Sequence, residues 1–332
     1  MHSEDTKMTS SEIADIWEAY QGVTLSLTVL SYFLVHVEDE EIRQLTQSAY
    51  DMLDSHLVTL KEKFIQENLS VPIGFGTVDV NMKAPRLYTD SFFLQYVWTM
   101  AVFGMFASST AVSRSVRPDI YAFFAENFQA FQTLHQQATT TAVAKGLFVK
   151  APSIPISKEV DFVQKQSFLT GWFGERRPLT ASEISNLHGN IQRNELGIAT
   201  LTGFSQSTKS KAVKDYIVRG IEIAQKHVRL FRSVLDEANV PTPMRSDTMV
   251  TEATAAPFSD KLMTFHVTGL ITIGISYYSM AITTNARRDL AALYSRLIAE
   301  IGLYSEDGAN LMIENGWLEE PPRMVDRKEL RN

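Results

Sequence analysis

The chain has 332 residues, with 31 Lys and Arg against 38 Asp and Glu, a net charge of −7 and no cysteine. Without cysteine there are no disulfides, thiolate metal sites or cysteine nucleophiles. A diffuse acidic balance argues against nucleic acid, which is held by clustered basic side chains. The length and ordinary apolar content imply about two globular domains. The start, Met1-His2-Ser3-Glu4-Asp5, has neither a basic run nor a short apolar run, so no secretory signal is expected and the setting reads as cytoplasmic.

In chain order, the first helix is expected over Ser10–His36. It opens with Thr9-Ser10-Ser11-Glu12, a capping box in which hydroxyl and carboxylate serve free backbone N–H groups. A second helix spans Asp39–Asn68. A connection of about 20 residues follows, Leu69 to Tyr88, broken by Pro72, Gly74, Gly76 and Pro85. Thr89-Asp90 then offers an N-cap for an uncharged helix over Ser91–Ser113. A fourth helix starts at Arg117-Pro118-Asp119 and ends at Lys145-Gly146, where glycine can close it in the left-handed conformation. The stretch Ser153–Pro178 reads as a linker, and its Phe168, Trp172 and Phe173 are expected to pack against the bundles.

The series then repeats. Helices are expected over Ala181–Ser205 (opened by Thr180-Ala181-Ser182-Glu183), Lys209–Ala238, the uncharged Leu262–Ala286, and from Arg287-Arg288-Asp289 to Asn315-Gly316. A long connection, Val240 to Phe258 with Pro241 and Pro243, again separates the second and third helices. The two copies register: Ile13 falls on Ile184, Gln21 on Gln192, His56 on His227 and Asn68 on Asn239, and, one residue closer, Asp90 on Asp260 and Gly146 on Gly316. Strand signals are absent. The expected fold is all-α: two tandem ferritin-like four-helix bundles, in which the long second-to-third crossover lets those two helices run parallel. Residues 1–157 form the first repeat, 158–178 the linker and 179–332 the second. Each uncharged stretch is long enough to cross a bilayer. Gln95, Ser108, Ser109, Thr110 and His266 interrupt them, and each sits among amphipathic helices that need a partner, so both read as buried core helices.

In the second copy, the last helix carries a 3-4 seam at Leu290, Leu293, Leu297, Glu300, Tyr304, Asp307 and Leu311. Acids on a core seam need a cation, a hydrogen-bond donor or a ligand. Glu195 falls at the inner edge of its helix and His227 at the edge of the Val213–Leu235 stripe. At 1.5 Å per residue, Glu195, His227 and Glu300 come to one level, with His266 and Asp307 together nearer one end. These five are a candidate oxygen and nitrogen set for one Fe, Mn or Zn ion. The first copy has Thr24, Tyr96, Ala130 and Gln137 in place of Glu195, His266, Glu300 and Asp307, keeping only His56. The Glu-x-x-His pattern of di-iron bundles is missing, since Ala224 precedes His227 by three, which counts against oxygen-activating chemistry. Gly74-Phe75-Gly76 lacks the rest of a dinucleotide fingerprint, and no Gly-x-Ser-x-Gly elbow occurs.

Several segments resemble a known family: Asp79-Val80-Asn81 with Ala84-Pro85-Arg86-Leu87-Tyr88-Thr89-Asp90; Pro257-Phe258-Ser259-Asp260-Lys261-Leu262-Met263; Arg288-Asp289-Leu290; Glu306-Asp307-Gly308-Ala309; and Gly316-Trp317-Leu318-Glu319-Glu320-Pro321-Pro322. They look like an uncharacterised family of spore-forming bacilli with two helical repeats, similar to the spore coat protein F group of the ferritin-like superfamily. The resemblance covers nearly the whole chain. It implies two bundles and a cytoplasmic or spore setting, and carries no activity. The leading expectation is a non-enzymatic structural or interaction protein, self-associating or meeting spore-coat partners. The rivals are a metal-binding protein using the five residues above, and a binder of a small apolar ligand in the first bundle near Met100, Phe103, Met105 and Phe106.

Overall fold

Each repeat begins with a capping box whose carboxylate does a second job. The computed structural model describes residues 7–172, 176–242, 249–325 and 327. Thr9 caps α1 (Ser10–His36) and Thr180 caps α5 (Ala181–Ser207). The other oxygen of Glu12 accepts the Val116 and Arg117 N–H groups at 2.8 and 2.7 Å, at the entry to α4 (Pro118–Ala144). In the second repeat Glu183 accepts the Arg287 N–H at 3.1 Å, at the entry to α8 (Arg288–Glu314). One fully buried acid thus joins the first and last helices of each bundle and satisfies donors no helix can serve. Burial alone would raise the Glu12 carboxyl; the N–H groups of Arg117, Thr9 and Val116 hold it below its ordinary value.

The remaining helices are α2 (Glu40–Gln66), α3 (Asp90–Arg114), α6 (Lys211–Glu237) and α7 (Asp260–Thr284). Their ends are matched between repeats. Asn68 and Asn239 turn left-handed after α2 and α6, at φ 54° and 53°, and Gly146 and Gly316 do so after α4 and α8, at 68° and 66°. Asparagine and glycine are the residues that accept this conformation at a helix end.

Side-chain pairs fix the helix directions. In the first bundle, Tyr20 meets Phe64, Phe33 stacks on Phe93 at 4.2 Å, and Lys63 reaches Asp119 at 3.1 Å. Trp98 donates to Thr139 at 2.9 Å. Early residues of one helix meet late residues of the other in every pair, so α2 and α3 both run against α1 and α4. The second bundle repeats this: Asn186 with Thr284, Phe204 with His266, and Arg219 with Asp307. Up, down, down, up is the ferritin-like arrangement, and the long second-to-third connections make it reachable. Among the described residues the fold is all-α; β pairing is confined to a bridge between Tyr88 and Val250.

The two compact units do not coincide with the two repeats. The first comprises Met1–Lys83, Phe93–Lys145 and Gly316–Asn332; the second comprises Ala84–Phe92 and Gly146–Asn315. The expected boundaries at 157 and 179 follow the sequence copies, whereas the chain changes unit at the left-handed glycines Gly146 and Gly316. Within the second unit Gln192 donates to the Val149 carbonyl at 2.7 Å, and the Tyr88 hydroxyl to the Thr200 carbonyl at 2.7 Å. A Cβ at Gly203 would lie 2.4 Å from that hydroxyl, so only glycine admits Tyr88 there.

Two expectations change. The uncharged helices are not enclosed all round: 44% of the most apolar window of α3 and 28% of that of α7 is buried. A four-helix bundle has no central helix, and Phe106 and Met280 lie on outer faces. Both helices are apolar and long enough to cross a membrane, and both pack within bundles. In the linker, Phe168 packs under the Arg177 guanidinium at 4.1 Å, but Trp172 is mostly exposed. Phe173 lies outside the described residues.

Candidate functional site

The five expected ligands do not converge. His227, at the centre of α6, is buried and brings two helices to it: its Nδ1 meets the Tyr278 hydroxyl of α7 at 2.9 Å and its Nε2 meets Glu300 of α8 at 3.1 Å. Glu300 also accepts from Lys226 at 2.7 Å. Glu195 instead accepts from Arg232, and Asp307, half-exposed, pairs with Arg219. His266 is buried edge-on against Phe204. It is twelve residues from Tyr278, about 18 Å along the helix. Among the described residues, no three His, Asp or Glu side chains stand close enough to hold a metal ion. The sequence expectation of one Fe, Mn or Zn site therefore reduces to a single pair, His227 with Glu300.

The cause is helical phase. One residue turns a side chain by 100°, enough to move it from a core to its rim. The buried seam of α8 runs Leu290, Tyr294, Leu297, Ile301, Tyr304, Gly308 and Leu311. Glu300 and Asp307 each precede a seam position by one. On α5, Asn194 takes the level facing Tyr278, donating at 2.8 Å, and Glu195 turns toward α6.

What occupies the interior is a chain of hydrogen bonds with neutral groups at its middle. From Glu300 it passes through His227, Tyr278 and Asn194 to Asn190, whose amide donates to the Tyr294 hydroxyl at 3.4 Å. Arg193 donates to Asn190 at 3.0 Å and lies over the Tyr277 ring. Burial lowers the pKa of His227 against the opposing pull of Glu300, and raises those of Tyr278 and Tyr294. The His227–Tyr278–Asn194 centre is thus uncharged near neutral pH, with the Glu300 carboxylate on one side of it and the Arg193 guanidinium on the other. Burial raises the Glu300 carboxyl, but Lys226 and His227 outweigh it and hold the group below its ordinary value.

Tyr278, Tyr294, Asn190 and Asn194 were not singled out from sequence. The signal available was the register between copies: Ala19, Val23, Ser108 and Phe124 occupy these places in the first repeat. There His56 survives alone, between the Phe123 and Phe131 rings, and burial pushes its pKa down to about 4. The Phe- and Met-rich α3 is closed at Gly104, where a Cβ would come within 2.5 Å of the Phe131 ring.

A solved structure of a candidate spore coat protein from Bacillus halodurans is similar to 47% of this chain over its own full length, at 16% identity and a TM-score of 0.42. No curated protein matches the sequence. A family model described as a protein of unknown function, DUF3231, matches residues 1–160 and again 167–330. Two successive matches span both helical repeats, and the chain belongs to the DUF3231 family.

Proposed function

We propose that the chain is a non-enzymatic structural or interaction protein, and that the polar cluster of its second bundle locks its own helices together. The supporting observation is charge matching. Arg219, Lys226 and Arg232, all on α6, meet Asp307, Glu300 and Glu195 one to one. A metal ion at the His227–Glu300 pair would have to displace Lys226 and sit beside it, at a Coulombic cost that two donors do not recover. The centre of the cluster has its hydrogen bonds met by neighbouring helices, which favours rigidity and one helix register over turnover.

Elemental analysis of protein purified without chelator tests this against the metal reading. Equal, substoichiometric metal is expected in the wild type, in Glu300→Gln and in the His227→Ala, Glu300→Ala double variant. About one equivalent held by the wild type alone overturns the proposal. The spore setting rests on the sequence resemblance to a family of spore-forming bacilli. It predicts the protein in extracts of purified spores, and a deletion strain with altered spore properties and normal vegetative growth. Spores that lack the protein and are unchanged in resistance and germination refute it.

A further inference from the structure

The clearest recognition event in the first unit is made by the chain's own C-terminal segment. After α8 the chain turns at Gly316 and runs on exposed, with Leu318, Met324 and Val325 facing solvent. Glu319 is its anchor. One carboxylate oxygen accepts the Ile73 N–H at 2.8 Å; the other accepts the Gly74 N–H at 3.1 Å and the Gln21 amide at 2.9 Å. The next two N–H groups of that loop are also served by oxygen, Phe75 by the Thr24 hydroxyl and Gly76 by Asp79. Consecutive N–H groups turned one way form a nest for an anion. Gly74 makes it: its φ is +63°, and a Cβ would lie 2.5 Å from the Thr24 hydroxyl. Tyr20 lies close enough that the Glu319 charge, added to burial, raises its pKa.

The segment from Gly316 on is counted with the first unit, although α8 before it belongs to the second. A terminal arm that changes unit at a glycine and docks through one carboxylate has the build of an exchangeable arm. We infer that the Gln21–Ile73–Gly74 nest is a receptor for an acidic peptide, and that the arm of a second copy of this chain, presenting its Glu319, fills it when copies are concentrated. In dilute solution the tethered arm wins, because tethering supplies an effective concentration in the millimolar range. The inference stands on this contact and not on the polar cluster of the second bundle.

Two full-length variants test it. Glu319→Gln weakens the arm and leaves the nest; Gln21→Glu leaves the arm and places a carboxylate against it. At about 1 mM, native mass spectrometry should show dimer for the wild type, monomer for each variant alone, and a one-to-one heterodimer on mixing them. Dimers in either variant alone, or no heterodimer between variants whose circular dichroism matches wild type, overturn the inference. A second readout covers a variant that misfolds. A peptide of residues 316–325 should bind full-length Glu319→Gln, and the same peptide with Gln at position 319 should bind on the order of 10–100-fold more weakly. Equal binding of the two peptides also overturns it.

Discussion

Glu183 is the residue whose loss the second bundle should feel most sharply. It is fully buried, takes both Arg177 guanidinium donors at 2.8 Å, and accepts the Thr180 and Arg287 N–H groups. Burial alone would raise its pKa, but Arg177 and these backbone donors hold the carboxyl at about 2, against an ordinary 4.5. At 1.36 kcal/mol per unit, that depression is worth about 3 kcal/mol of stability. The group binds its proton more weakly folded than unfolded, so the stabilisation is complete above about pH 5 and is lost as the pH falls toward 2. By pH 3.5 about 1.4 kcal/mol of it should be gone. Urea unfolding of wild type and Glu183→Gln, followed by circular dichroism from pH 7 to 3.5, measures this. The variant should be less stable by about 3 kcal/mol at pH 7, and the gap should narrow by about 1.4 kcal/mol at pH 3.5. A gap under 1 kcal/mol at pH 7, or one that does not change with pH, refutes the reasoning.

The other outcomes are separate. Tyr216 and Tyr304 stack at 4.5 Å because Gly220 and Gly308 face their hydroxyls, and a Cβ at either would lie 2.3 Å away. Gly308→Ala should therefore destabilise by about 1–3 kcal/mol in thermal unfolding, even though alanine favours an isolated helix; a gain in melting temperature would falsify the packing argument. His56 and His266 are both pushed by burial to about 4, so their NMR ring signals should stay neutral down to pH 5, with stability falling below pH 6.5 as the unfolded chain takes up protons first. Titration of either near 6.5 counts against its burial. Tyr278→Phe removes the partner of both His227 and Asn194 and should cost about 1–3 kcal/mol in chemical unfolding, while Ser108→Ala in the first bundle should cost under 1; equal costs would remove the asymmetry between the bundles.

The sequence made the helices legible because their ends carry strong local chemistry. Thr9 with Glu12, Thr180 with Glu183, and the glycines at 146 and 316 stand where caps were expected. The long connections gave the helix directions for a topological reason, since α3 can run beside α2 in the same sense only if the chain crosses the bundle first. The site was less legible because a stripe drawn at 100° per residue cannot separate a rim from a core. Glu300 lies next to the buried Ile301, and Glu195 next to the inward Asn194. Helix α7 gave no phase at all, being apolar on every side, so Tyr278 went unseen and His266 was placed by counting. The docking of Glu319 had no periodic signature either, because it depends on backbone N–H groups that every residue except proline possesses.

The arrangement at Gly316 bears on how the molecule is made. Ribosomes release Gln21 and the Ile73–Gly74 loop well before their partner, the Glu319 carboxylate, which lies beyond the whole second repeat. Until the second repeat has been made, Gln21 and the loop at Ile73 and Gly74 must wait for their anion. On a polysome, where nascent copies crowd together, the waiting loop is open to whichever finished neighbour arrives first.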